Sequence, residues 1–291
     1  SSGKPAIGVG QGNVQCIIDE DADIADAVGK IIIGRAFDNG LICLGEQTVF
    51  VPEDKEAEFV AEMKKQGGYL VEGEENVDKL REGLFPGGGA FSRVVVGMFA
   101  DQVSDEIGLG APKGTRVLFA KAKALGAGDV LCREKLCPVI AFFTVDGWEA
   151  ACELSIRILQ NEGAGHTMTL HTKNKDVVRE FALRKPVSRI LVNTPGALGG
   201  VGASTGLAPA LTLGCGAVGG SATSDNITPM NLINIRRVAW GLCELEDLRK
   251  GSPVPKDEPS CECGTKTDLT PEDIEAITRE IMKRLGAGLG K

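Results

Sequence analysis

The sequence has only two histidines, His166 and His171. That leaves a zinc centre few ligands, and Cys261 and Cys263 form a lone C-x-C without a second pair, so no metal site is expected. No apolar run approaches the roughly 18 residues that span a bilayer. The opening SSGKPAIGVG has neither the charged n-region nor the apolar h-region of a secretory leader. A soluble, cytoplasmic chain with no membrane partner is expected. Positive charge is also short: 32 Lys and Arg against 40 Asp and Glu give a formal net charge of -8, which argues against nucleic acid or an anionic surface as the partner. The nine cysteines are odd in number and irregularly spaced, the pattern of reduced thiols rather than of a disulfide framework.

What the sequence does contain is enough apolar residue, 43% of 291, for one large domain or two smaller ones. Up to about residue 240, strand-like and helix-like segments alternate. Residues 48–51, 116–120, 139–145, 167–170 and 188–192 are rich in Val, Ile, Phe and Thr and predict strands. Residues 21–37 place Ile24, Ala27, Val28, Ile31 and Ile32 on one helical face, and 53–65, 148–160 and 175–183 predict further helices. That alternation implies an α/β domain with a largely parallel sheet covered by helices.

The texture then changes. The stretch GSPVPKDEPSCECGTKTDLT has the composition of a flexible linker, assigned to 242–267. Beyond it Thr270, Pro271 and Asp273 form a helix start, Ile274, Ile277, Ile281 and Leu285 make one apolar stripe, and Gly286 ends it. An amphipathic helix at 268–286 either folds back on its own subunit or docks in a groove on another protein.

One cysteine stands out by its setting. In FDNGLICLGEQTVF, Cys43 follows Gly40, Leu41 and Ile42, where the backbone can approach closely and the Cys43 amide can face a site. A cysteine nucleophile needs thiolate, access and donors for the oxyanion. Taken as one of nine, Cys43 reads more readily as a structural buried thiol.

Five blocks in order change that. FDNGLIC, GVGQGNVQCIIDEDADI (8–24), EKLCPVIAFFTV (134–145), NEGAGHTMTLHT and LTLGCGAVGGSATSDNITPMNLINIRRVAW resemble the aldehyde dehydrogenase superfamily in its CoA-acylating branch, over about residues 1–241. The resemblance implies an aldehyde dehydrogenase-like α/β catalytic domain at 1–241, with 1–12 at the boundary of a Rossmann-like N-terminal cofactor domain that is mostly lacking. No G-x-G-x-x-G follows a strand and opens a helix, since GVGQGN leads into a strand. Weak or no NAD binding by this chain alone is therefore expected.

It also implies a reaction: a short-chain aldehyde is oxidised to an acyl-CoA through a thioester on Cys43, with NAD+ taking the hydride and coenzyme A as co-substrate. Glu134 and Pro138, from the E-x-x-x-P-V motif, are expected to bind the cofactor, Glu134 through the nicotinamide ribose. His166, Gly8 and Gly10 are expected at the substrate or CoA entrance, and Gly214, Gly216, Gly219 and Gly220 along the cleft. Gly8 stands where hydrolytic members carry the glutamate that activates water. Without that base a thiol takes the acyl group instead.

The helix at 268–286 resembles the encapsulation peptides of bacterial microcompartments, which implies a shell protein as partner and the microcompartment lumen as a location. A homo-oligomer is expected, through a strand around Ile235 to Trp240. Three rivals remain: a non-catalytic truncated domain acting as cargo or assembly subunit, a cysteine hydrolase with His166 as base, and a reductase acting on acyl phosphates.

Overall fold

The computed structural model describes residues 7–123 and 128–246. The chain divides into two units, Ser1–Ile233 and Asn234–Lys291. The first is built on β1 (Val14–Ile18), α1 (Ile24–Ala36), β2 (Glu46–Pro52), α2 (Glu56–Lys65), β3 (Gly68–Leu70), α3 (Glu74–Leu84) and α4 (Ala100–Ile107). It continues through β4 (Val117–Lys121), β5 (Val139–Val145), α5 (Gly147–Asn161), β6 (Gly165–His171), α6 (Lys175–Arg184), β7 (Val187–Val192) and α7 (Gly196–Gly200). All seven strands form one sheet in the order β3-β4-β5-β2-β1-β6-β7, and every neighbouring pair is parallel.

Helices α1 and α2 press Val28, Ile31, Phe59 and Met63 onto Cys16, Val49, Val51, Phe119 and Phe142 on one face. Leu80 and Leu84 of α3, Ile158 of α5 and Phe181 of α6 cover Ile17, Phe50, Leu118, Ala141 and Leu170 on the other. Burial on both faces is why the strands read as continuous apolar runs. Helix α1 begins where Asp23 accepts a hydrogen bond at 3.0 Å from the Asp26 amide, three residues later than the periodicity alone predicts.

The strands predicted from sequence are present with ends displaced by one or two residues. Four elements were not expected: β3, which is three residues long, the acid-rich α3, and the short helices α4 and α7. Each is too brief or too polar to give a period of its own, and packing against the sheet makes them. Within the second unit, the described residues 234–246 contain no strand, and Ile235, Val238 and Trp240 are exposed. A strand needs a ladder partner, and the expected one near Ile235 to Trp240 has none there. The linker lies mostly, and the helix at 268–286 and the Cys261/Cys263 pair wholly, outside the described residues. No helix among the described residues is long and apolar enough to cross a membrane.

Both histidines are buried on β6, and desolvation pushes each down to about 4. The ring nitrogens of His171 have no hydrogen-bond partner. Between pH 6.5, the ordinary value, and 4 the unfolded chain binds more protons than the folded one, so stability falls as pH falls, by at most about 1.4 kcal/mol per pH unit for each histidine. His171→Met should remove one such contribution: urea midpoints of variant and parent, compared at pH 7 and pH 5, should converge or cross in the variant's favour at pH 5. The difference isolates this histidine from Glu46, whose burial raises it to about 8 and tilts stability the other way.

Candidate active site at the amino edge of the sheet

In open parallel sheets ligands commonly sit beyond the carboxyl ends of the strands. Here a cavity of about 370 Å³ does open at the ends of β3 and β4, lined by Val60, Leu70, Val71, Val77 and Phe142. Its two rim lysines are spent on carboxylates, Lys121 on Glu56 at 2.7 Å and Lys123 on Glu74 at 2.5 Å. The chemistry gathers at the opposite edge. Because all strands run one way, the segments entering β5, β2, β1, β6 and β7 lie side by side, and they carry Glu134, Cys43, Gly12, His166 and Arg189.

Cys43 sits in the loop between Phe37–Gly40 and β2. That loop is held in an unusual conformation: Asp38, Asn39 and Gly40 have φ of 49°, 51° and 73°, three successive left-handed residues, two of them not glycine. Asn39 Nδ2 donates to the Gly97 carbonyl at 3.0 Å, and the Leu41 amide closes the turn on the Asp38 carbonyl at 3.0 Å. A Cβ on Gly40 would lie 2.6 Å from the Cys137 carbonyl carbon and 3.0 Å from the Pro138 nitrogen. Glycine here is thus required both by sign of φ and by space.

Three groups meet at the sulfur. His166 Nε2 lies 3.0 Å from Cys43 Sγ, and its Nδ1 lies 3.1 Å from Thr167 Oγ1. The Cys43 amide hydrogen-bonds its own sulfur and pulls the thiol down, but burial, then Glu134, then Cys215 push it up, to about 11. Glu134 Oε1 accepts a hydrogen bond from the Gly12 amide at 3.2 Å, and burial raises its carboxyl to about 7. The Gly12 backbone in turn lies against the Cys43 carbonyl, and a Cβ there would stand 2.8 Å from Cys43 Cβ. His166 is neutral at physiological pH, so the pair is a thiol against an imidazole able to act as base.

Beneath the site lies a layer of buried polar groups. Arg35 donates to the carbonyls of Lys135, at 2.5 Å, and Cys137, while Gln47 bridges the Lys135 amide and carbonyl at 3.0 and 3.1 Å. Lys135 Nζ donates to the carbonyls of Leu131 and Arg133 at 2.6 and 2.9 Å, and Glu46 accepts from the Gly196 amide at 2.7 Å. The bonds made by Arg35, Gln47 and Lys135 fix the 131–137 segment that presents Glu134.

The structure brings Cys43, Glu134 and His166 together. Pro138 is buried against Gly40, so it shapes the turn before the cysteine rather than offering a surface. Gly8 is exposed and its carbonyl accepts from Ser221 Oγ at 2.8 Å; Gly10 packs on Cys215. Of GVGQGN, it is Gly12 that abuts Cys43. Gly12 and Cys215 had no sequence signal beyond their places in the blocks GVGQGN and LTLGCGAVGG, and Arg189 had none. No group of three metal-ligating side chains occurs among the described residues.

The comparisons with known proteins bear on this arrangement. The chain is 40% identical over 240 residues to the succinate-semialdehyde dehydrogenase (acetylating) of Clostridium kluyveri, covering 82% of this chain and 53% of the relative. The crystal structure of a probable aldehyde dehydrogenase from Listeria monocytogenes EGD-e matches with a TM-score of 0.80 and 50% identity, over 85% of this chain and 55% of that one. The chain is homologous to the acylating aldehyde dehydrogenases. A propionaldehyde dehydrogenase from the Clostridium phytofermentans fucose utilisation bacterial microcompartment also shares the fold, with a TM-score of 0.68 and 27% identity over 77% of this chain and 50% of that one. No family model matches the sequence. This aldehyde dehydrogenase homologue spans about half the length of these three relatives.

The raised thiol predicts slow alkylation at neutral pH. The rate of iodoacetamide labelling at Cys43, followed by peptide mapping, should climb with pH toward a midpoint near 11. His166→Ala, which removes the hydrogen-bonded imidazole, should change the shape of that profile at Cys43 and leave the other cysteines unaffected.

Proposed function

We propose that this chain carries the acyl-transfer half of a CoA-acylating aldehyde dehydrogenase, with Cys43 as the nucleophile that holds the acyl group as a thioester. The observation that carries the reading is the 3.0 Å contact between His166 Nε2 and Cys43 Sγ beside a backbone amide, at a site with no carboxylate at Gly8 to activate water. His166 takes the thiol proton and passes it to solvent, Cys43 sulfur adds to the aldehyde carbon, and the Cys43 N–H stabilises the oxyanion. In the second half, neutral His166 takes the proton of the incoming CoA thiol, whose sulfur attacks the thioester carbonyl and releases Cys43 thiolate.

Oxidation between these steps needs a hydride acceptor. A nicotinamide dinucleotide, NAD in our reading, supplies it when bound. Glu134 fits such a group: its carboxyl is half-buried near the sulfur, the Gly12 amide and the Gln11 side chain bond to it, and a carboxylate with about four acceptor positions keeps others for ribose hydroxyls. Glu134 would hold the cofactor, and the aldehyde is a short-chain one.

The test uses a short acyl-CoA, because reverse acyl transfer requires no nicotinamide. Intact mass and peptide mapping should find one acyl adduct, on Cys43, absent in Cys43→Ala and retained in Glu134→Gln. An adduct on another cysteine would sink the assignment. A folded chain with no adduct would favour an assembly or cargo subunit over an enzyme.

The location follows from the amphipathic stripe at 268–286 and from the microcompartment origin of one structural relative. We assign the helix as an encapsulation signal that binds a shell protein. Deleting 268–291 should abolish co-sedimentation with purified shells; retained sedimentation would overturn it.

A further inference from the structure

Arg189, on β7, belongs to none of the motifs that mark the site, yet it is 6% exposed and its guanidinium is committed on three sides. Nε donates to Asn226 Oδ1 at 2.8 Å, Nη1 to the Gly214 carbonyl at 2.8 Å, and Nη2 to the Ser224 carbonyl at 2.8 Å. These three acceptors span one loop, closed by the bridge between Leu213 and Asn226. Asn226 in turn donates to the carbonyls of Gly200 and Ala208, at 2.9 and 2.8 Å. None of these acceptors is a carboxylate. Asp225 is the carboxylate whose field acts on the guanidinium, and it is not hydrogen-bonded to it, so the cation enters the interior without a bonded counter-charge.

A buried cation without a bonded carboxylate is costly to desolvate, and here one amide and two backbone oxygens are what offset that cost. The loop it grips carries Cys215, and a Cβ on Gly165, the residue before His166, would stand 2.6 Å from the Gly219 α-carbon. On the other side its field reaches Cys43 and His166. We propose that Arg189, paired across β6 and β7 with Thr167 next to His166, is a positioning and electrostatic residue that anchors the 213–226 loop as a wall of the site and keeps a fixed positive charge at that wall. The inference rests on Cys43 being the nucleophile, as proposed above.

The charge acts on both members of the pair in a useful sense. It favours loss of the sulfur's proton and disfavours a proton on His166. The resting pair thereby releases its proton to solvent as thiolate forms, leaving a neutral imidazole for the CoA thiol. The groups facing the sulfur are Glu134 and Cys215, which oppose thiolate formation, Arg189, which favours it, and His166, which bonds it.

The test is the pH profile of Cys43 alkylation in the full chain, with acylation by a short acyl-CoA measured separately. Arg189→Met should move the alkylation midpoint up by about one unit, the scale expected for losing a nearby opposite charge. Arg189→Lys, which keeps the charge, should restore most of it. Asn226→Asp keeps an acceptor on Nε while neutralising the guanidinium, and it should also raise the midpoint; it decides the case if Arg189→Met does not fold. A midpoint within 0.2 of the parent's (about the reproducibility of such profiles) in a folded Arg189→Met, or in Asn226→Asp, overturns the proposal. Absence of acylation on Cys43 in the parent would instead overturn the reading of the site, and leaves the midpoint comparison to stand by itself.

Discussion

Seven strands that all run in one direction force every entering loop onto one edge of the sheet, and the site follows from that constraint. Parallel pairing puts the segments before β5, β2, β1, β6 and β7 next to one another although they lie far apart in sequence. Each needs to supply only one or two groups. Cys43, Gly12, Glu134, His166 and Arg189 are spread over some 180 residues, and five neighbouring strands collect them.

Holding these loops in place falls to buried polar groups rather than to apolar packing. Arg35, Gln47 and Lys135 tie the 131–137 segment down through its carbonyls, and Arg189 does the same for the 213–226 loop. Loops cannot satisfy their own backbone groups as strands do, so each needs a donor brought from elsewhere. The cations also set the electrical character of the edge. Burial alone would leave Cys43 a protonated thiol, and the balance between Glu134 and Arg189 decides how far from that state it can be moved.

The match to acylating aldehyde dehydrogenases and the geometry are independent lines. Homology rests on some 240 aligned residues, whereas the cysteine–histidine contact rests on two atoms. The exposed carboxyl-end cavity, by contrast, has its lysines neutralised and offers no convergent chemistry.

The sequence by itself determined the α/β alternation, the main strands and helices, and the cysteine: periodicity and β-branched runs are local properties, and FDNGLIC is a contiguous motif. Short elements such as β3 and α4 escaped because too few residues carry their pattern. Only the tertiary structure decided that His166 sits on the Cys43 sulfur, that Gly12 and not Gly8 or Gly10 packs on Cys43, and that Pro138 is buried under Gly40. It alone placed Arg189 beside them. Those relations depend on the order of strands in the sheet, which is set by the sum of packing over the whole domain and is written in no single segment.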